Sequence, residues 1–211
     1  MKKSWIAVGA ALVMFTGSGE PALAATAGTY TVQRGDTMYK ISQKLGVSLA
    51  DLEKANPQIS NFNVIWPGEV LHIPAPSKAD AILETALSLI GTPYAFGGND
   101  PKVGFDCSGF VQYVFSKNGI SLPRSAHEQA TVGTPVPRSQ VQKGDLLFYV
   151  DTYPNTWDNH VTHVSIYMGN GDMIESSSSH GGIGVIVVHN IWSNPYYTSH
   201  YWGARRVIPQ G

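Results

Sequence analysis

Cysteine is nearly absent from this sequence: Cys107 is the only one in 211 residues. A single thiol can form no internal disulfide and cannot build a zinc site from several cysteines, so two common staples of small modules are excluded. Charge is scarce as well, at 14% of residues, with 14 Lys and Arg against 15 Asp and Glu. No basic run extends beyond the pairs Lys2-Lys3 and Arg205-Arg206. That composition fits one or two compact domains and excludes both a nucleic-acid-binding surface and a disordered, self-repelling chain. Long apolar runs are also missing. The one candidate, Trp5 to Phe15, falls well short of the roughly 20 residues a membrane span needs. It follows the positive start Met1-Lys2-Lys3 and precedes the small-residue site Ala22-Leu23-Ala24. Residues 1–24 therefore read as a secretory signal, and the mature chain is expected to be exported and to have no membrane partner.

Beyond the signal, a stiff, extended linker is expected at residues 75–79, in Pro74-Ala75-Pro76-Ser77-Lys78 and its continuation. Before it, Tyr30-Thr31-Val32 reads as a strand and Gly35-Asp36-Thr37 as a turn into a helix, with Met38, Ile41 and Leu45 on one face. Gly46 closes that helix, and Ser48-Leu49-Ala50-Asp51 has the form that caps a second one, with Leu49, Leu52 and Ala55 as its buried stripe. Asn56-Pro57 ends the second helix, and Trp66-Pro67-Gly68-Glu69 turns into a closing strand, Val70 to Ile73. The result is a strand, helix, helix, strand unit of about 45 residues, near the lower limit for folding without a staple.

Three stretches of this unit, Tyr-Thr-Val-Gln-x-Gly-Asp-Thr, Ala-Asn-Pro and Pro-Gly-Glu-x-Leu-x-Ile-Pro, closely resemble the LysM domain over residues 28–74. The resemblance implies binding to the N-acetylglucosamine units of peptidoglycan or chitin in a shallow groove. It implicates Gly35, Asp36, Thr37 and Met38 on one side, and Asn56, Pro57, Gln58 and Ile59 on the other. Several of these also have a purely structural reading: Gly35 and Pro57 as turn formers, Asp36 and Thr37 as helix caps.

The second segment, residues 80–208, opens with a helical pattern of Ala81, Leu83, Ala86, Leu87 and Ile90, stopped by Gly91 and Pro93. After the loop Phe96-Gly97-Gly98-Asn99-Asp100 comes Phe105-Asp106-Cys107-Ser108-Gly109, leading into Phe110, Val111, Val114 and Phe115 at the spacing of a buried helix. Cys107 falls at the start of that helix, where free backbone amides and the helix dipole favour a nucleophilic thiolate. Further on, Thr162 to Gly169 alternates, placing His163, Ser165 and Tyr167 on one face and Val164, Ile166 and Met168 on the other. Gly169-Asn170-Gly171 reads as a hairpin turn, and Asp172 to Ser176 as the returning strand. That hairpin can bring Glu175 beside His163 to fix its tautomer, completing a nucleophile, base and orienting group; Asn190 or a water is the alternative partner.

No catalytic metal or other cofactor is expected. His160 and His163 are three apart and would point to opposite faces of a strand, and His127-Glu128 lacks the second histidine of a zinc helix. His72, His180, His189 and His200 read as surface or interface residues. The stretch Asp151 to Val161, with Tyr153, Pro154 and Trp157, reads either as a cleft wall or as cover for the core. Gly184 to Val188 and Gly203 to Ile208 are expected as further strands of the sheet.

Five ordered blocks then make a specific resemblance: Gly91-Thr92-Pro93-Tyr94 with Gly97-Gly98, Phe105 to Val111, Leu122 to Ala126, Lys143 to Phe148, and His163 to Gly171. They resemble the NlpC/P60 family of cysteine peptidases. The implied fold is α+β and papain-like, with helices packed on an antiparallel sheet. The implied activity is hydrolysis of peptidoglycan stem peptides between γ-D-glutamyl and meso-diaminopimelate or lysine. By position, Cys107 is the nucleophile, His163 the general base and Glu175 the third residue, where the family more often has histidine. The resemblance also places Tyr94 near the oxyanion, and Asp106, Ser108, Arg124 and Ser125 around the subsite preceding the scissile bond. Arg124 with hydroxyls would take the free α-carboxylate of the glutamyl unit, and Asp106 a free L-Ala amine. The expected protein is thus a secreted, wall-associated hydrolase of a Gram-positive bacterium. Its alternatives are an N-acetylmuramoyl-L-alanine amidase and a non-catalytic wall or spore-coat binding protein.

Overall fold

The computed structural model describes residues 28–153, 160–179 and 184–209. The expected signal segment 1–24 lies outside these residues, as do Pro154, Trp157 and His180. The chain divides into two compact units, the first ending at Pro74 and the second beginning at Ala75.

The first unit runs β1 (Gly28–Thr31), α1 (Met38–Leu45), α2 (Leu49–Lys54) and β2 (Val70–Ile73). β1 and β2 pair antiparallel, with Thr29 opposite His72. Local chemistry sets both helix starts. The Thr37 side chain accepts from the Lys40 amide at 3.1 Å, and the Ser48 hydroxyl from the Asp51 amide at 3.0 Å. Gly46, at φ 66°, ends α1 in the left-handed conformation that a side chain would disfavour. Val32, Met38, Ile41, Val47, Leu52 and Leu71 form the core. Full burial of an aliphatic side chain such as Ile41 or Leu52 contributes about 1.5–3 kcal/mol. Of the expected α2 stripe only Leu52 is buried, because a helix of 6 residues rolls just one position fully inward.

The second unit comprises α3 (Lys78–Leu87), β3 (Asn99–Asp100), β4 (Gly104–Phe105), α4 (Cys107–Lys117), α5 (Ala126–Gln129), β5 (Thr134–Val136), β6 (Leu146–Val150), β7 (Val161–Gly169), β8 (Asp172–Ser177), β9 (Gly184–Val188), α6 (Pro195–His200) and β10 (Tyr201–Arg206). Six strands form one antiparallel sheet in the order β5-β10-β6-β7-β8-β9. Along β6, Leu146 and Phe148 join the core that contains Phe110, Val111, Val114 and Phe115 of α4, while Leu147 and Tyr149 join a second core with Tyr167, Met173 and Tyr197. The sheet is thus covered on both faces. A bidentate ion pair from Arg206 to the buried Asp145, at 2.8 and 2.7 Å, ties β10 to the start of β6.

Three expectations are corrected here. α3 starts at Lys78, with Ser77 as its N-cap in a reciprocal capping box with Asp80. Residues 77–79 therefore belong to the helix and its cap and leave the linker. Leu87 and Ile90 are exposed, and Ile82 takes the buried place beside Leu83 and Ala86, because the helix ends at Leu87. Finally, the alternation of β7 breaks at its start. Tyr149 faces His163 but Val150 faces Val161, so Thr162 is the extra residue of a bulge, a device that re-aims neighbouring side chains.

Candidate active site

Cys107 is the first residue of α4, and Asp106 is its N-cap, accepting from the Gly109 amide at 2.7 Å. The first turn of α4 is held against the Gly-rich loop by backbone contact. The Asp106 amide donates to the Gly98 carbonyl at 3.1 Å. A Cβ on Gly109 would come within 2.0 Å of that same carbonyl oxygen, so only glycine allows the approach.

The thiol of Cys107 is nearly buried and lies 4.0 Å from the Thr162 carbonyl, at the β7 bulge. It is also close enough to His163 to act on the imidazole through its charge and side chain. The other side of the imidazole is engaged: His163 Nε2 lies 2.7 Å from Glu175 Oε2, which leaves Nδ1 as the nitrogen for the thiol. Glu175, itself buried, accepts at Oε1 from the Tyr197 hydroxyl at 3.3 Å. Tyr149 packs beside the imidazole at a ring separation of 5.9 Å. Burial pushes the His163 pKa down, but the charges of Glu175 and then Cys107, with hydrogen bonds to both, outweigh it and raise it to about 10. The geometry therefore favours the imidazolium form of His163 at neutral pH. Asn190, the alternative partner, instead donates its backbone amide to Asp172 at 3.1 Å.

A cleft of about 580 Å³ opens over Cys107. Tyr94, Asp106, Ser108, Arg124 and Ser125 all line it. Arg124 grips Asp106 with both terminal nitrogens, at 2.9 and 2.6 Å, and also reaches the Ser108 hydroxyl at 3.0 Å. The Gly98 carbonyl accepts from Arg124 at 3.2 Å, and Asp106 accepts from the Gly97 amide at 3.0 Å. Asp106 and Arg124 thus bind each other before any substrate arrives. Ser125 caps α5 in a reciprocal box with Glu128. The Tyr94 hydroxyl lies 3.4 Å from that of Tyr153, and burial raises the Tyr94 pKa.

Tyr153, the described part of the aromatic stretch, therefore stands in the cleft wall. Sequence reasoning missed Tyr149 and Tyr197, which reach the site from β6 and α6 with no motif or periodic relation to His163. It also misplaced His160, which precedes β7 and stacks on His127 in the cleft wall, with ring centroids 3.6 Å apart. Among the described residues, no group of three or more His, Cys, Asp and Glu is placed to hold a metal ion.

In the first unit, two of the residues expected to face a glycan are turned inward. Met38 is in the core, at 3% exposure, because it opens the buried stripe of α1. Asn56 is fully buried and ties α2 to β2: its side chain donates to the carbonyls of Leu52 and His72, at 2.7 and 2.8 Å, and accepts from the His72 amide at 2.7 Å. Asp36 accepts from the Tyr30 hydroxyl and the Gln33 amide, at 2.7 and 2.8 Å, and Thr37 caps α1. Gly35, Pro57 and Gln58 are exposed, and Ile59 is half-buried.

A cysteine at a helix start, set against an antiparallel sheet that supplies a histidine and its polar partner, defines a papain-like cysteine peptidase fold. The chain belongs to the NlpC/P60 family: the model of that family matches residues 91–206, more than half of the sequence, and the LysM domain model matches residues 30–74. The chain is similar to the gamma-DL-glutamyl hydrolase of Bacillus subtilis, with 38% identity over 138 residues, 63% of this chain and 31% of that protein. It is similar also to the bifunctional muramidase/DL-endopeptidase CwlT of Bacillus subtilis, with 44% identity over 100 residues, 47% of this chain and 30% of that protein. The crystal structure of an NlpC/P60 family protein from Bacillus cereus superposes with a TM-score of 0.55 at 33% identity, covering 68% of this chain and 45% of that one. The chain spans about a third of the length of the curated relatives named here.

Proposed function

We propose that this protein is a secreted, wall-associated peptidoglycan hydrolase that cuts the stem peptide after γ-D-glutamyl, ahead of meso-diaminopimelate or lysine. The observation that carries the reading is the chain of contacts from Cys107 through His163 to Glu175, with the thiol opening into a cleft. Relatives named as a gamma-DL-glutamyl hydrolase and a DL-endopeptidase support the bond.

In this mechanism the Cys107 thiolate attacks the amide carbonyl carbon, a C–S bond forms, and the carbonyl oxygen takes up the negative charge. The Cys107 amide, at a helix start without an intrahelical acceptor, donates to that oxyanion, with Tyr94 nearby. His163 passes its Nδ1 proton to the leaving amine as the C–N bond breaks. The now neutral imidazole takes a proton from water, which attacks the thioester and releases the acid and the thiolate. Glu175 holds the ring and offsets its charge in both steps. The LysM unit, bound to glycan through exposed positions such as Gln58, concentrates the peptidase on an insoluble substrate.

The test is mass spectrometry of soluble products after the mature protein meets purified peptidoglycan, beside Cys107→Ala. New L-Ala-D-Glu ends that depend on Cys107 are expected. Intact free stem peptides would make it an amidase, and no release by either protein, with both still bound to the wall, would make it a binding protein.

A further inference from the structure

β8 meets the active site on both faces of the sheet. Met173 points into the core that holds Tyr149 and Tyr197, and Glu175, two residues on, reaches His163 and Tyr197 from that face. Ile174 points into the opposite core, with Phe110 and Val111 of α4, and Ser176 follows it on that face. Ser176 is fully buried, and its hydroxyl donates to the Phe105 carbonyl at 2.8 Å, across 71 positions of sequence. Consecutive residues of one strand thus hold the two halves of the catalytic pair: Glu175 the histidine, and Ser176 the segment that leads into the cysteine.

The Phe105 carbonyl stands just ahead of the start of α4. Its other donor is the Ala95 amide, at 3.1 Å, which ties Phe105 to the loop before the Gly-rich stretch and not to the sheet. Asp106 is likewise tied to Gly97, Gly98 and Arg124. Among the described residues, and apart from the contacts of the thiol itself, the Ser176 bond is the hydrogen bond that joins residues 105–108 to the six-stranded sheet. Because Ala95 keeps the carbonyl satisfied, Ser176→Ala removes this link to the sheet without leaving a buried acceptor unpaired.

We propose that Ser176 is a positioning residue of the peptidase: its bond to Phe105 sets where the first turn of α4, and with it the Cys107 thiol, stands relative to the imidazole that Glu175 holds. This role rests on the reading of Cys107 and His163 as one pair. The groups that face His163 are Glu175 from β8, Cys107 from α4 and the Tyr149 ring from β6, and the first two raise its pKa. Cys107 can act on the ring only while it stays close, so the titration of His163 reports where the thiol stands.

The experiment titrates the His163 imidazole by NMR in the full chain, with His163→Gln to assign its signal, for the wild type, Ser176→Ala and Ser176→Thr. Partial unfolding lowers the intensity of the folded signal and leaves its midpoint in place, whereas a thiol that withdraws from the ring moves the midpoint down. In Ser176→Ala a fall of about half a pH unit or more is expected. On a synthetic stem peptide, kcat counted per thiol that reacts with iodoacetamide should drop about tenfold, with KM changed little. Threonine keeps the hydroxyl and should restore both; if Ser176→Thr does not fold, the alanine variant decides alone. An unchanged midpoint, whatever happens to the melting temperature, overturns the proposal. So does an unchanged kcat in a chain that cleaves, or a fall that a folded Ser176→Thr does not reverse. Because the titration needs no substrate, a midpoint that falls in a chain that cleaves no stem peptide upholds the positioning of Cys107 and removes the endopeptidase reading.

Discussion

His163 and Glu175 meet across adjacent strands, Nε2 to Oε2, at 2.7 Å, and both are buried. β7 and β8 pair with Ile166 opposite Ile174, which brings Glu175 onto the same face as His163 near the open end of the hairpin. In the proposed mechanism the carboxylate fixes the ring so that its second nitrogen serves the thiol. Glu175→Gln keeps the shape and removes the charge. Steady-state kinetics should show kcat/KM falling by about 10- to 100-fold, less than in Cys107→Ala, given the 10²–10⁴-fold typical of acid–base catalysis. Wild-type rates in the glutamine variant would remove Glu175 from the site.

Tyr197 supports that carboxylate from the far side through its hydroxyl. Tyr197→Phe leaves the ring packing and withdraws one buried hydrogen bond. Chemical denaturation should register a loss of about 1–2 kcal/mol. Activity should fall only a few-fold, since Glu175 retains His163.

The raised pKa of His163 has a definite sign for stability. The group binds its proton more tightly folded than unfolded, where its pKa is near 6.5. Its contribution is therefore fully present below about 6.5 and is lost as pH rises through about 10. The melting temperature of the wild type relative to His163→Gln should fall steadily across that window. A difference that stays flat would contradict an imidazolium held by Glu175 and Cys107.

Gly109 lets the Gly98 carbonyl sit on the first turn of α4, and a methyl group there would lie 2.0 Å from that oxygen. Gly109→Ala must push the Gly-rich loop away from Asp106 and Arg124. A cost of about 1–3 kcal/mol is expected from overpacking, together with loss of peptidase activity. Unaltered melting and turnover would show that the loop is free to move.

In the LysM unit, Asn56→Ala deletes both partners of the His72 backbone and the cap on Leu52. Calorimetry of the whole chain should show the transition of this unit weakened by about 2–3 kcal/mol, at roughly 1 kcal/mol per hydrogen bond. Gln58→Ala, at an exposed position but removing one hydrogen bond to Asn56 Oδ1 at 2.9 Å, should lower melting less than Asn56→Ala and reduce sedimentation with insoluble peptidoglycan. The reverse pattern would exchange the two roles.

What the sequence determined by itself was everything encoded in local pattern. Cap residues such as Thr37, Ser48 and Asp106 announce helix starts because their side chains satisfy amides only two or three residues away. The apolar spacing of Phe110 to Phe115 announces a buried helix, and that in turn places Cys107 at its first turn. The alternation of β7 and the turn at Gly169-Asn170-Gly171 bring Glu175 to His163, since a hairpin is a local structure whose geometry follows from its turn. Tertiary structure decided the rest, because it depends on groups that meet across long stretches of chain. The pairing of Arg124 with Asp106, Tyr197 beneath Glu175 and the stack of His127 on His160 each join elements with no shared period. So does the inward turn of Asn56, whose partner His72 is 16 residues away. Sequence spacing identifies which face of an element a side chain occupies, but which second element covers that face is fixed only by packing the whole core.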